Sequence, residues 1–255
     1  IKVTGKPVRT KGSGAKIAEV RSAPLEEIIN RALLHSDNSA TEVMGRQLAL
    51  ATGGKPDPAG VRAALQAKLK EFGAWQDGAV IDDASGLSRS NRVSPRMLAT
   101  VWTKVLATPA MQPMLDGVPI SGVTGGLSYR YDQPETKPAR GLVHAKTGTL
   151  TGVASLSGWV RTPDGRVLVE GLIVNDAPVD QGQVWADHAS AAVSHGCAWH
   201  ARHSARQVCR WLRRCGTLSP ACRRPRSAAR VGRTPWRWHL AQPGPGNVRA
   251  PRCGR

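Results

Sequence analysis

The composition of this chain changes abruptly near residue 195, and the change limits which residues can fold around a common core. Residues 195–255 contain fourteen Arg and no Asp or Glu, and they hold all five Cys of the chain. Residues 1–194 carry 22 Lys and Arg against 18 Asp and Glu, which is an ordinary balance for a globular domain. A stretch of this length can bury a substantial core, so we expect the fold there.

Three interpretations of residues 195–255 are open. Basic runs with interleaved Trp, at residues 210–214 and 236–239, could bind nucleic acid. A second interpretation is a zinc site, although the spacing matches no usual template; its ligands would be drawn from His195, Cys197, His200, His203, Cys209, Cys215 and Cys222. The favoured interpretation is a reading-frame slip near residues 194–197, because GC-rich codons read out of frame yield Arg, Ala, Pro, Gly, Cys and Trp. We therefore expect a disordered basic tail and no nucleic-acid partner.

Hydrophobic periodicity predicts helices in the first part of residues 22–194. Helices are expected over residues 24–34, from residue 39 to the Gly pair at 53–54, over residues 57–72, and from the Ser-Pro pair at 94–95. Ser22 is the candidate cap of the first helix, and Ser39 with Glu42 spells a capping box for the second. Residues 1–21 are interpreted as the end of an inserted or upstream segment.

The periodicity changes to that of strands beyond Tyr131. Strands are expected at residues 142–146, 153–160 and 166–174, followed by a helix at residues 183–194 that covers the sheet. Helices followed by consecutive strands and a closing helix indicate an α/β fold in which helices flank an antiparallel sheet, in two or three layers.

Two short motifs 110 residues apart carry the strongest indication of chemistry. Ser36-Asp37-Asn38 lies at the predicted junction of the first two helices, and Lys146-Thr147-Gly148 lies at the end of the first predicted strand. Alone, the first motif is usually a capping turn and the second a solvated turn. Together, and with an S-x-x-K helix, such motifs form the site of serine acyl-transfer enzymes that react with penicillin.

Four segments in this order resemble the D-alanyl-D-alanine carboxypeptidase/endopeptidase family, the class C low-molecular-mass penicillin-binding proteins. They are Ser36-Asp37-Asn38, residues 83–91 (DASGLSRSN), residues 119–127 (PISGVTGGL) and residues 145–150 (AKTGTL). The resemblance implies that residues 22–194 form the second half of a β-lactamase/transpeptidase-like domain. Mild departures from the family pattern stand at Thr41, Ala84 and Gly126.

The resemblance also implies a role for each motif residue. Ser36 would pass a proton to the departing amine, and Asn38 would bridge a substrate carbonyl and a catalytic lysine. Lys146 would attract the carboxylate of the substrate. Thr147, Gly148 and Thr149 would bind substrate, the Thr residues through their hydroxyls and Gly148 by letting a peptide lie against the strand edge.

The S-x-x-K motif of this family is expected far upstream of these segments. This pattern occurs once in the sequence, at Ser13-Gly14-Ala15-Lys16. It lies in a glycine-rich stretch only 23 residues before Ser36, so we interpret it as a chance match. We therefore expect an N-terminally truncated fragment that is inactive alone because its nucleophile is missing.

Two other functions remain open for residues 22–194. One is a non-catalytic peptidoglycan-binding module that keeps only the groove facing the substrate. The other is a class A β-lactamase, which is disfavoured because the glutamate context E-x-x-L-N is not supplied at Glu71.

The expected partners and location follow from the resemblance. They are peptidoglycan stem peptides and β-lactam antibiotics, in the periplasm or another extracytoplasmic part of the cell envelope. The sequence has no run of 18 apolar residues, so no membrane span is expected. No metal or organic cofactor is implied, because an acyl-enzyme route needs none.

Overall fold

The computed structural model describes residues 4–6, 9, 16, 18–194 and 239–243. Its elements, in chain order, are helices α1 (Leu25–His35), α2 (Asn38–Ala51), α3 (Pro58–Glu71) and α4 (Pro95–Ala107), strands β1 (Val143–Leu150), β2 (Val153–Arg161) and β3 (Val167–Asn175), helix α5 (Val179–Ser194) and strand β4 (His239–Pro243). Short 3-10 helices at Pro109–Gly117, Gly125–Leu127 and Lys137–Ala139 connect α4 to β1. Helices therefore precede the sheet, as the periodicity predicts.

Polar side chains mark the starts of three of these helices. Asp37, Asp57 and Ser94 each accept a hydrogen bond from the backbone N–H three residues later, at the first turns of α2, α3 and α4. Such caps satisfy N–H groups that have no partner inside the helix. Helix α1 begins after Pro24 without a side-chain cap, so the predicted cap at Ser22 is wrong.

The predicted capping box of α2 is also wrong. Asp37, two residues before Ser39, caps the helix instead, and Asp is among the best capping residues. Glu42 is thereby free to reach a neighbouring loop. Its Oε1 accepts from the backbone N–H groups of Ala84 at 3.1 Å and Ser85 at 2.9 Å.

The strands form one antiparallel sheet in the order β1-β2-β3-β4. Helix α5 covers one face, over a core that includes Val143, Leu156 and Leu172. Helix α4 packs on the other face, where Trp102 and Trp159 lie with ring centroids 5.4 Å apart. The arrangement is a three-layer sandwich, and the predicted fold of helices flanking an antiparallel sheet is confirmed.

Strand β1 is longer than the sequence predicts. It pairs with β2 from Val143, opposite Val160, to Leu150, opposite Val153. The connecting turn is tight, and its Gly152 has a φ of +75°, which glycine adopts without steric cost. The Lys-Thr-Gly motif therefore lies within the strand, and its backbone is held by the sheet.

Five residues of the basic tail are described, and they form a strand. Strand β4 (His239–Pro243) pairs with β3, with a register shift between Leu168 and Glu170. The outer edge of β3 presents unpaired N–H and C=O groups, and an added strand satisfies them. The other predictions for residues 195–255, including the zinc ligands, lie outside the described residues.

The core beneath α5 also contains ionisable side chains. Arg130 binds Asp187 with two hydrogen bonds, of 2.6 and 3.0 Å, and both residues are buried. Glu170 is fully buried and accepts from Ser190 Oγ at 2.6 Å. Burial raises the pKa of Glu170 from its ordinary 4.5 to about 8, so the carboxyl is largely protonated at neutral pH.

Candidate active site

Ser36 lies at a sharp junction between α1 and α2. It closes α1 in the left-handed conformation, with a φ of 57°, and its N–H donates to Ala32 O. The next residue, Asp37, already caps α2. A left-handed serine is uncommon, and backbone strain of this kind persists where the surrounding structure enforces it, often at functional sites. The junction leaves the Ser36 hydroxyl exposed on the surface that faces β1.

Lys146 reaches this hydroxyl from the sheet. Its Nζ donates to Ser36 Oγ at 2.9 Å and to the carbonyl of Thr147 at 3.0 Å. The lysine is half-buried, and this burial lowers its pKa below the ordinary 10.5 because the charged form loses hydration. The two motifs, 110 residues apart in the chain, thus meet in one hydrogen bond.

The remaining predicted site residues lie close to this pair. Asn38 is the first residue of α2, and its exposed amide takes no part in the hydrogen bond between Ser36 and Lys146. Thr147 lies against Gly126, where an added Cβ would come within 3.0 Å of Thr147 Oγ1. Gly148 and Thr149 follow toward the end of β1, where Thr149 is exposed.

The outer edge of β1 is covered over one half only. Ser121 N donates to Val143 O, and Ala145 N donates to Pro119 O, both at 2.9 Å. Backbone groups alternate in direction along an antiparallel strand, so those of Thr147 and Thr149 point the same way. Among the described residues nothing pairs with these two N–H groups, and the second half of β1 is open to an added peptide strand.

Two loops singled out by sequence bracket this open edge. The segment at residues 119–127 covers the first half of β1 through the contacts above. The loop at residues 83–91 is organised by Asp83, which accepts from the N–H groups of Gly86 and Ser88 and from the Asn91 amide. Arg89 of the same loop donates to Thr151 O at 2.8 Å, in the turn that follows β1.

The geometry combines a hydroxyl, a cation and an open strand edge. The edge can align an extended peptide, the ammonium can hold an anionic group on it, and the hydroxyl can both accept and donate a proton. Among the residues described, no group of three or more His, Cys, Asp or Glu is arranged to hold a metal ion. The described helices also include none that is long and apolar enough to cross a membrane.

Comparison with protein-family models decides the family. Residues 1–193 match the model of the D-Ala-D-Ala carboxypeptidase 3 (S13) family. The chain belongs to this family. The family predicted from the four motifs is therefore confirmed, and the S13 match extends over all of them.

Curated relatives of this S13 chain carry names consistent with the family. It is 39% identical over 187 residues to the carboxypeptidase DacB of Mycolicibacterium smegmatis, covering 72% of this chain and 40% of that protein. It is 27% identical over 214 residues to the D-alanyl-D-alanine carboxypeptidase of an Actinomadura species, covering 78% of this chain and 39% of the relative. The chain thus spans about two fifths of the length of these curated relatives.

Solved structures agree on the fold. Penicillin-binding protein 4 (dacB) of Haemophilus influenzae superposes with a TM-score of 0.59 at 24% sequence identity, over 65% of this chain and 38% of that one. The same protein complexed with a β-lactam gives the same TM-score and identity. The likeness shows the β-lactamase/transpeptidase-like fold of the S13 chain.

Gln183 of α5 donates to Thr149 Oγ1 at 3.2 Å. The sequence did not predict this contact, because it predicted only that the last helix covers the sheet. Lys16, the end of the S-x-x-K spelling, is exposed and pairs with Glu19. Ser13 lies outside the described residues.

Proposed function

We propose that this chain carries the substrate-holding part of a serine-type D-Ala-D-Ala carboxypeptidase/endopeptidase that acts on peptidoglycan peptides. The observation that carries the proposal is the 2.9 Å hydrogen bond between Lys146 Nζ and Ser36 Oγ beside the open edge of β1. Family membership supports the reaction class. Since the chain spans about two fifths of its curated relatives, the activity is proposed and not established.

Each site residue has a part in the proposed reaction. The peptide lies along Thr147, Gly148 and Thr149, and its terminal carboxylate is held by the ammonium of Lys146 and the Thr hydroxyls. A serine attacks the carbonyl carbon between the two D-alanines while the catalytic lysine of the S-x-x-K motif takes its hydroxyl proton, and the C–N bond of the resulting tetrahedral centre breaks. Ser36 passes a proton to the leaving amine, and water then hydrolyses the acyl ester.

The nucleophile of this reaction stays a prediction from the family. The sequence contains the S-x-x-K pattern once, at residues 13–16, and its Lys16 forms an exposed ion pair with Glu19. We therefore propose that the chain binds the substrate but does not form the acyl-enzyme alone. Asn38 is proposed as the amide that orients the attacking group and a substrate carbonyl.

Partners and location are proposed from the same reasoning. Peptidoglycan stem peptides are the substrates, so the protein acts in the cell envelope on the extracytoplasmic side. β-Lactam antibiotics are proposed ligands, because a protein of the same fold has been solved in complex with a β-lactam. The route needs no cofactor, and no nucleic-acid partner is proposed.

Two measurements on the chain test this proposal. Titration with N-acetyl-D-alanyl-D-alanine and with its C-terminal amide, followed by NMR, should show saturable binding with preference for the free acid. Lys146→Gln should abolish that preference, whereas Lys55→Gln, an exposed lysine after α2, should not. No binding, or equal binding of acid and amide, would contradict the proposal.

Fluorescent penicillin separates the catalytic from the non-catalytic form of the hypothesis. We expect the chain to remain unlabelled after denaturing electrophoresis while it still binds the dipeptide. Covalent labelling that disappears in Ser13→Ala would instead identify residues 13–16 as the nucleophile motif. In that case the proposed inactivity is wrong, although the proposed function stands.

A further inference from the structure

The hydroxyl of Thr149 is oriented by a neighbour on α5. Gln183 Nε2 donates to Thr149 Oγ1 at 3.2 Å. A hydroxyl has one hydrogen to donate and two lone pairs that accept. Because the amide of Gln183 supplies a donor, it occupies a lone pair, and the hydroxyl hydrogen of Thr149 is left to point away from α5. Because Thr149 is exposed, this hydrogen is available to an acceptor on a peptide that lies along the open edge of β1.

The first turn of α5 is pressed against the sheet at the level of Thr149. Gly182 is buried, and a Cβ at this position would lie 2.9 Å from the Cβ of Ala154. Ala154 is the residue of β2 directly opposite Thr149. Glycine inside a helix lowers helix stability, so this glycine is explained by the close approach that it permits. The approach brings the next residue, Gln183, beside Thr149.

A buried ion pair holds the backbone of Gln183 in place. Arg130 Nη2 donates to the carbonyl of Gln183 at 3.1 Å, and the same guanidinium binds Asp187 one turn further along α5. Arg130 and Asp187 are both buried, so this forked contact is shielded from water and well defined in geometry. The Gln183 amide therefore projects from a fixed piece of backbone and not from a mobile helix end.

We propose that Gln183 is a positioning residue that, by turning the Thr149 hydroxyl into a donor toward the groove, makes the site select peptides ending in a free carboxylate. This inference rests on the proposed function, because it concerns the same substrate carboxylate. A carboxylate only accepts hydrogen bonds, whereas a terminal amide also presents N–H groups. A hydroxyl committed to donation therefore favours the acid over the amide.

The test compares affinities for N-acetyl-D-alanyl-D-alanine and its C-terminal amide. In Gln183→Glu, the new carboxylate accepts the Thr149 hydrogen and repels the substrate, so the preference for the acid should fall about tenfold. In Gln183→Met, which keeps the length without a donor, it should fall about threefold. Gln181→Glu places the same charge change two residues away on exposed helix surface and should leave the preference unchanged.

A second comparison distinguishes positioning from a general structural role. Thr149→Val should lower the acid preference, and adding Gln183→Met to it should produce little further loss, because Gln183 acts on the carboxylate only through the Thr149 hydroxyl. Thermal unfolding of each variant checks that the fold is retained. An unchanged acid-to-amide ratio in both Gln183 variants, with a wild-type preference intact, would overturn this inference alone. Lack of preference in the wild-type chain would overturn the proposed function as well.

Discussion

Strand β1 has two halves that differ in what covers their outer edge. In the first half, Val143 and Ala145 are bonded to the segment at residues 119–121, and their side chains are buried under α5. In the second half, the outward N–H groups of Thr147 and Thr149 have no backbone partner among the described residues, and Lys146 Nζ contacts the Thr147 carbonyl and Ser36. One strand therefore serves as core at one end and as a binding edge at the other.

The row of residues across the sheet shows how the covered half is fixed. Ala145 of β1, Gly158 of β2 and Glu170 of β3 are successive partners in register. A Cβ on Gly158 would lie 2.6 Å from Ala145 Cα, so the strands meet there without room for a side chain. A rigid covered half holds the open half in position, as a preorganised binding site requires.

The largest expected effect is on stability, in the covered half. Gly158→Ala should lower the free energy of unfolding by about 3 kcal/mol or more, because its methyl group meets backbone atoms of β1 that cannot move aside. The matched change in the open half, Gly148→Ala, meets only the Ser155 hydroxyl, which can rotate, and should cost less than about 1 kcal/mol. Urea unfolding measures both. Equal losses would show that the two halves do not differ.

The next effect is on binding, in the open half. Lys146→Gln removes the cation that we expect to hold the peptide carboxylate, so affinity for N-acetyl-D-alanyl-D-alanine should fall about fiftyfold. Calorimetric titration measures this change. Retained affinity in a folded variant would remove Lys146 from the binding site.

The pH dependence of binding follows from the lowered pKa of Lys146. The ammonium is present below that pKa and is lost as the pH rises through it. The affinity for the dipeptide should therefore be highest at neutral pH, and it should begin to fall before the pH has risen to 10.5. Lys146→Arg, which stays protonated in this range, should bind without that decline. A wild-type affinity that is constant up to pH 10.5 would contradict the assignment.

A smaller effect on stability is expected from the buried carboxyl of the covered half. Because the pKa of Glu170 is about 8 in the folded chain and near 4.5 when exposed, the folded state holds an extra proton between these values. The contribution of Glu170 to stability should therefore be greatest below pH 4.5 and fall as the pH rises to 8. Glu170→Gln should reduce this fall by about 2 kcal/mol, measured by urea unfolding at pH 5 and 8. An identical fall in the variant would exclude Glu170 as its cause.

The smallest effect is expected at the cover itself. Ser121 Oγ donates to Ala139 O at 2.6 Å and accepts from Val143 N at 3.2 Å, and the residue is fully buried. Ser121→Ala should cost about 1 kcal/mol of stability without changing affinity for the dipeptide. A loss of affinity comparable to that of Lys146→Gln would mean that the two halves of β1 are not independent.

Local signals in the sequence predicted much of the helical part. The helix starts predicted at residues 57 and 94–95 agree with the structure, where Asp57 and Ser94 each precede a Pro at the first helical position and cap the helix. The second helix shows the limit of such reasoning. Asp37 and Ser39 are both good capping residues, and Glu42 bonds to a loop some forty residues away. The local sequence alone therefore could not show which of the two residues caps the helix.

The sheet and the site could also be predicted only in part. The order of helices and strands was readable from hydrophobic period, and the motif resemblance identified Ser36 and Lys146 as belonging together. The length of β1 was not readable, because pairing with β2 extends it through polar residues that lack strand periodicity. The contact of Gln183 with Thr149 depends on the depth at which α5 packs, which is a tertiary property.

Backbone amide shifts of β1 during titration with N-acetyl-D-alanyl-D-alanine test the central claim most directly. We expect saturable shifts at Thr147 and Thr149, together with a change at Ser36, while Val143 and Ala145 stay unperturbed. Shifts confined to Val143 and Ala145, or Ser36 unaffected by a peptide that perturbs Thr149, would contradict the claim that the helix junction and the open strand edge share one ligand.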